Sequence, residues 1–150
     1  MARAAVLTEA EINKVLKIIG VGSNSERNRI AFLLSAWAGM RVGEIAALKL
    51  KDVLNPDLSV VQQVNLKAAQ TKGSKGRVVV LNDKMRKELC AYLKSRRLTD
   101  LTAPLIASQR TGKHFSNTTL CMQFSSFYKQ AGMRNTSHAG RTTFSTKLNA

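Results

Sequence analysis

Apolar residues at helical spacing predict a helix near the start of the chain. Thr8 and Glu11 have the separation of a capping box, and Leu7 precedes them as a hydrophobic staple would. Gly20 and Gly22 then stop the pattern. The apolar stripe of this helix consists of Ile12, Val15, Leu16 and Ile19.

A second helix and a short third one are predicted next. Ser23 and Glu26 repeat the capping-box separation, and Gly39 marks the end of the second helix. The third is predicted over 42–48, with Arg41 immediately before it and Glu44 in its first turn. The inward positions are Ile30, Leu33, Leu34 and Trp37 in the second helix, and Ile45 and Leu48 in the third.

The hydrophobic period then changes to that of strands. After a turn at Asn55, Pro56 and Asp57, the segment SVVQQVNL (59–66) alternates apolar and polar residues, and RVVVL (77–81) is a compact β-branched run. The polar segment TKGSKG (71–76) separates them. These features predict a β-hairpin or two edges of a small antiparallel sheet.

Helical patterns resume after the strands. Asn82 or Asp83 caps a fourth helix, Ser116 or Asn117 caps a fifth, and Thr136 or Ser137 opens a last helical segment. The inner faces of the fourth and fifth are Met85, Leu89, Tyr92 and Leu93, and Leu120, Phe124, Phe127 and Ala131. With no repeat and no linker, the predicted fold class is α+β: a mainly helical single domain over 1–150 with a small antiparallel hairpin.

Composition limits the class of protein. A chain of 150 residues that is 44% hydrophobic is long enough for one core, and no apolar run reaches the length of a membrane span. No secretory signal is recognisable, so a soluble cytoplasmic protein is expected. Cys90 and Cys121 have no second thiol or histidine at metal-ligand spacing, and both are expected to be buried thiols.

The strongest bulk signal is charge. Lys and Arg number 24 against 9 Asp and Glu, which gives a net charge of +15. Such a field attracts polyanions, so nucleic acid is the first partner to consider, and an anionic membrane surface competes with it. The basic residues run through the whole chain instead of concentrating on one amphipathic helix, which favours nucleic acid over a membrane.

The segment AGMRVGEIAALKLKDV (38–53) places a cation and an anion at one helix start. An ordinary helix start explains Glu44, because the positive end of the helix dipole favours a carboxylate there. Arg41 gains a second interpretation when it is grouped with Lys72, His138 and Arg141, the last two at i, i+3. Guanidiniums match the non-bridging oxygens of a phosphodiester, and lysine and histidine can transfer protons, so these four residues suit a phosphate-processing pocket.

Four segments together resemble the catalytic domain of the tyrosine recombinases, the phage integrase family. They are AGMRVGEIAALKLKDV, TKGSKGRVVVLN, LIASQRTGK and HAGRTTFSTKL, in the order and at about the spacings of that domain. The opening LTEAEINKVL is also similar to the entry to the domain. The resemblance covers nearly the whole chain.

The resemblance implies roles for individual residues. Arg41 would be the first catalytic arginine, with Glu44 helping to hold the site, and Lys72 would act on the leaving 5′ oxygen, with Lys75 as a rival. The His-x-x-Arg pair of the second catalytic block would be His138 and Arg141. The family uses no metal and no cofactor, since cationic side chains supply the charge stabilisation. Further contacts to the DNA backbone are expected from Lys75, Arg77, Arg110 and Lys113.

Two departures from the family pattern bear on activity. Gly140 stands between His138 and Arg141 where an apolar residue is usual, and no segment of the chain matches the block that carries the tyrosine nucleophile. Tyr92 and Tyr128 lie in apolar helical contexts and are expected to pack in the core. No nucleophile is therefore assigned in this chain, which is expected to be inactive alone.

Three functions remain open from the sequence. The first is a recombinase catalytic domain that cleaves and rejoins DNA through a 3′-phosphotyrosine, completed by a tyrosine from elsewhere or from another protomer. The second is a non-catalytic DNA-binding module or regulator of an intact integrase. The third is a basic structural or RNA-associated protein that shares only the fold.

Overall fold

A computed structural model describes residues 7–67 and 76–133. Its helices are α1 (Glu9–Val21), α2 (Ser25–Ala36), α3 (Val42–Ala47), a 3₁₀ turn (Leu50–Val53), α4 (Asp83–Lys94) and α5 (Asn117–Gln130). Its strands are β1 (Gln63–Leu66) and β2 (Arg77–Val80). The architecture is mainly helical with one small antiparallel sheet, which confirms the predicted fold class.

Helix α1 starts as predicted. The Thr8 hydroxyl accepts a hydrogen bond from the Glu11 backbone N–H at 3.1 Å, and the Glu11 carboxylate accepts one from the Thr8 N–H at 2.9 Å. This reciprocal pair satisfies two N–H groups that have no partner within the helix. Gly22 follows the last helical residue, and the buried face consists of Ile12, Val15 and Ile19.

The predicted start of α2 at Ser23 and Glu26 is wrong. The helix begins at Ser25, and Asn24 before it adopts a left-handed conformation with φ 55° and gives no side-chain cap. Asparagine tolerates this conformation better than most residues, and the short connection from α1 uses it to reverse the chain. From Ile30 to Ala36 every residue of α2 is buried, so α2 is the central helix of the core.

The two strands pair antiparallel, with Val64 opposite Val79 and Leu66 opposite Arg77. Only the last four residues of SVVQQVNL are in the strand. Val64, Leu66 and Val79 are buried on the inner face, whereas the β2 residue between Arg77 and Val79 is exposed. The segment between the strands, which contains TKGSK, lies outside the described residues.

Helix α4 packs on α2 through the residues that the sequence predicted. Helix α5 packs on α1 and α3 and contacts α2 through aromatic rings, and its predicted inner face is wrong at Phe127, which is partly buried while Tyr128 is buried. Asn82 caps α4 by accepting from the Met85 N–H at 2.9 Å. Phe32 of α2 meets Phe124 and Tyr128 of α5 edge-to-face, with ring centroids 6.4 and 6.1 Å apart. Such pairs stabilise beyond the area they bury. The expected packing of Tyr128, like that of Tyr92, is confirmed, because their exposed fractions are 1% and 7%.

The cysteine prediction is wrong for one residue. Cys90 is exposed and Cys121 is partly buried. Cys90 lies on the side of α4 turned away from α2, and the described chain leaves that side uncovered. The predicted terminal helix from Thr136 or Ser137 lies outside the described residues.

Candidate phosphate-binding site

A tight turn after α2 places Arg41 at the start of α3. Gly39 has φ 70°, a conformation that a side chain would strain, and its N–H donates to the Ser35 carbonyl at 3.1 Å. The Met40 N–H reaches back to Leu34 at 3.1 Å, and the Met40 side chain is fully buried. The backbone of Arg41 is therefore fixed on both sides, by this turn and by α3.

Glu44 holds the start of α3 from inside. Its exposed fraction is 2%, and its Oε1 accepts a hydrogen bond from the Arg41 backbone N–H at 2.9 Å. This is the expected role of a carboxylate in the first turn of a helix. A buried carboxylate also requires a cationic partner, because an unpaired buried charge is costly.

The cationic partner of Glu44 is Arg77. Its Nε donates to Oε2 at 2.7 Å and its Nη2 to Oε1 at 2.7 Å, while Nη2 also reaches the Gly39 carbonyl at 3.3 Å. Two parallel hydrogen bonds to one carboxylate fix both position and angle. Arg77 therefore ties the first residue of β2 to both ends of the turn that carries Arg41.

Electrostatics favour the ionised pair. Burial raises the pKa of Glu44, but the hydrogen bonds from Arg77 and from the Arg41 N–H outweigh it, so the pKa lies below its ordinary value. The hydrogen bonds that Arg77 donates to Glu44 raise the pKa of Arg77 in return. Both groups stay charged at neutral pH.

The guanidinium of Arg41 is uncommitted among the described residues. Its side chain is partly exposed, and within 7–67 and 76–133 no carboxylate or carbonyl accepts a hydrogen bond from it. Glu44 is committed to the Arg41 backbone and to Arg77, so it orients Arg41 without neutralising it by direct contact. The arrangement fixes the backbone of Arg41 and leaves its guanidinium donors able to bind a phosphate.

A basic turn lies beside the other end of α3. Arg110 and Lys113 are exposed on a loop closed by a hydrogen bond from the Ser108 N–H to the Lys113 carbonyl at 2.9 Å. His114 follows, and its Nδ1 lies 2.7 Å from the Ala46 carbonyl. Because a carbonyl only accepts, Nδ1 carries the proton. His114 thus fastens this loop to α3.

The structure brings three of the predicted site residues together: Arg41, Glu44 and Arg77. Arg110 and Lys113 lie on the neighbouring loop, and their expected DNA contacts stay predictions. The remaining predicted site residues, Lys72, Lys75, His138 and Arg141, lie outside the described residues.

Sequence reasoning missed two contacts at this site. It assigned Arg77 to DNA and did not pair it with Glu44, although β2 alternation puts Arg77 on the same face as buried Val79. An arginine on a buried strand face needs an anionic partner, so the alternation of β2 could have indicated that Arg77 pairs with a carboxylate. The contact from His114 to α3 had no such signal in the sequence.

Comparison with known proteins identifies the family. Residues 5–150 match the model of the phage integrase family. The chain belongs to the phage integrase family. This confirms the resemblance inferred from AGMRVGEIAALKLKDV and the three other segments.

Named relatives of this phage integrase family chain are archaeal tyrosine recombinases. It is 32% identical over 145 residues to the tyrosine recombinase XerA of Thermococcus onnurineus, covering 95% of this chain and 48% of that protein. The XerA of Pyrococcus horikoshii is 30% identical over 144 residues, covering 95% and 46%. The chain thus spans about half the length of the curated relatives it matches.

Solved structures of integrases share the fold of this family member. A crystal structure of XerA recombinase superposes with a TM-score of 0.71 at 25% identity, over 97% of this chain and 49% of that one. The lambda integrase bound to DNA gives a TM-score of 0.71 at 21% identity, over 96% and 50%. A XerH site-specific recombinase bound to its difH substrate gives 0.68 at 27% identity, over 96% and 42%.

No helix among the described residues is long and apolar enough to cross a membrane.

Proposed function

We propose that this phage integrase family chain binds duplex DNA and holds a phosphodiester for strand cleavage, with Arg41 as the phosphate ligand. The observation that carries the proposal is the pairing of Glu44 with Arg77, which holds the Arg41 turn and leaves the Arg41 guanidinium free of a carboxylate contact among the described residues. The net charge of +15 supports a polyanionic partner.

Arg41 would act on the charge of the transition state. When an oxygen nucleophile attacks the phosphorus, negative charge grows on the two non-bridging oxygens, and a preoriented guanidinium stabilises them. The bond to the 5′ oxygen then breaks, and that oxygen takes up a proton. By its resemblance to the family, Lys72 is the proposed donor of this proton, with Lys75 as its rival.

The remaining parts of the reaction are also proposals. His138 and Arg141 would complete the phosphate site, and a tyrosine other than Tyr92 and Tyr128 would form the 3′-phosphotyrosine. Other recombinase protomers are proposed partners, because one of them could supply that tyrosine. Localisation at the nucleoid would follow from DNA binding.

Arg77 is proposed here as a positioning residue. Its Nε and Nη2 are both engaged by Glu44, so fewer of its donors remain for a phosphate than the sequence suggested. A contact of Arg77 with DNA stays a prediction that the same experiments test.

A selection experiment tests the proposal on the chain itself. Duplexes selected from a random pool provide a binding target, and affinity is measured across salt concentrations. Arg41→Ala should weaken binding and reduce the slope of log affinity against log salt by about one, as expected for the loss of one phosphate contact. Lys17→Ala is the matched control, since Lys17 is an exposed cation on α1. Equal losses for both variants would contradict a specific site at Arg41.

A second candidate is a DNA-binding module that does not cleave. The burial of Tyr92 and Tyr128 favours it for this chain acting alone, because neither phenol is accessible to a phosphodiester. Nicking of the selected duplex on mixing with a tyrosine-bearing recombinase would favour the catalytic function. Binding without nicking in that mixture would favour the module.

A further inference from the structure

A groove lies along one side of α4, and the buried residue Leu93 forms part of its floor. Its volume is about 590 Å³, within the range of about 300–1,000 Å³ that ligand sites occupy. Its walls are α4 and the turn at 58–60, and its apolar surface comes from Leu58, Cys90, Leu93 and Leu98. The opposite side of α4 contacts α2, since Glu88 pairs with Arg29 of α2 at 2.8 Å.

The backbone at Leu58, which forms one wall of the groove, is strained. Leu58 has φ 69°, a left-handed conformation that leucine seldom adopts, and its exposed fraction is 46%. Glycine or asparagine would fit this turn at lower cost, and either would remove an exposed apolar side chain. Backbone strain of this kind clusters at functional sites. Here it keeps a leucine at the edge of an apolar groove.

The rim of the groove is basic. Three cations line it, Arg86, Lys87 and Lys94, against one carboxylate, Asp83, whose side chain is 93% exposed. Arg86 is only loosely satisfied: Nη2 donates to the Val60 carbonyl at 3.3 Å, and Nη1 lies 3.7 Å from Asp83. Its Nε is buried and has no hydrogen-bond partner within the described part of the chain. An anion at this rim could accept hydrogen bonds from the Nη atoms of Arg86, whose present contacts are long.

These features select one class of occupant. DNA offers no apolar surface to match Leu58, Leu93 and Leu98, and a second copy of a chain with net charge +15 would be repelled by the basic rim. We propose that the groove docks an acidic amphipathic segment of a partner protein. Its apolar side chains would lie between Leu58 and Leu93, and its carboxylates would reach the cations of the rim, as in helix-in-groove recognition.

The proposal is independent of DNA binding at Arg41. Its test begins with a phage-displayed library of random 12-residue peptides, selected on the wild-type chain and counter-selected on the Lys87→Glu variant. Enriched peptides should contain several Asp or Glu residues with apolar residues at i, i+3 or i+4. Enrichment of peptides without acidic residues, or no enrichment at all, would overturn the proposal.

Affinity of an enriched peptide, measured by fluorescence anisotropy, then locates the site. Leu58→Asn and Lys87→Glu should each weaken it by about tenfold or more, which is 1.4 kcal/mol. Lys17→Glu, the same charge change on α1, should alter it less than twofold. Leu58→Asn should not lower the Tm, because it relieves the left-handed strain. A loss of affinity that follows a lower Tm would assign Leu58 to structure alone.

Two further outcomes would assign the groove to a different occupant. Displacement of the peptide by excess duplex DNA would place the groove on the DNA-binding surface and refute the proposal. A wild-type dimer that Leu58→Asn converts to monomer in sedimentation would make a second copy the occupant. Unaffected peptide binding in Arg41→Ala would separate this groove from the proposed phosphate site.

Discussion

Arg77 and Glu44, which lie 33 positions apart in the sequence, share two hydrogen bonds of 2.7 Å across the junction of β2 and α3. Glu44 also holds the Arg41 N–H, and Arg77 also holds the Gly39 carbonyl. The pair therefore closes a ring of contacts around the turn that carries Arg41. The stability of the Glu44–Arg77 pair and the position of Arg41 are therefore linked.

Glu44→Gln should destabilise the protein substantially. The substitution leaves Arg77 charged and only partly exposed, and removing one partner of a buried pair costs about 3 kcal/mol or more. The free energy of unfolding from urea titration measures the effect. Glu88→Gln is the matched control, because the Arg29–Glu88 pair is more exposed and should contribute about 1 kcal/mol or less. Equal losses in the two variants would contradict the special role of Glu44.

Stability should depend on pH through Glu44. Its pKa is lower in the folded state, so the unfolded state binds the proton first, and stability falls as pH drops from about 4.3, the unfolded pKa, through the folded pKa. In Glu44→Gln the free energy of unfolding should be lower but should change less steeply between pH 5 and 3. Some slope should remain, because the pKa of Glu88 is also lowered by its hydrogen bond to Arg29. A parallel decline in both proteins would count against this account.

Local signals predicted most helices and strands. The caps at Thr8, Asn82 and Ser116 and the apolar stripes depend on residues within four positions of each other, so they can be recognised in the sequence. The start of α2 was missed because the left-handed Asn24 depends on how α1 and α2 pack. The partner of Glu44 was missed because it comes from a distant strand.

Two glycines should respond in opposite directions to replacement by alanine. Gly39→Ala forces a side chain into φ 70° and should lower the free energy of unfolding by about 1–2 kcal/mol. Gly20→Ala lies within α1, where the added Cβ would have no atom within 4 Å apart from its chain neighbours and the backbone of its own helix, and it should raise stability by about 0.5–1 kcal/mol. Thermal unfolding of both variants checks the pair. DNA affinity should fall only for Gly39→Ala, because only that turn carries Arg41.

No covalent adduct with DNA should form through the two tyrosines. Tyr128 is 1% exposed, and the Tyr92 hydroxyl donates to the Leu105 carbonyl at 2.8 Å and accepts from Arg96 at 2.9 Å. Neither oxygen can reach a phosphorus without disrupting the core. Mass spectrometry after incubation with nicked duplex would detect an adduct, and one on Tyr92 or Tyr128 would refute the assignment of both to packing.

The most direct test of the central claim is an atomic structure of the chain with a selected duplex. The Arg41 guanidinium should lie at hydrogen-bond distance, about 2.7–3.2 Å, from a phosphate oxygen, while Arg77 remains on Glu44. Arg41 pointing into solvent, with the DNA phosphates bound by other cations, would contradict it.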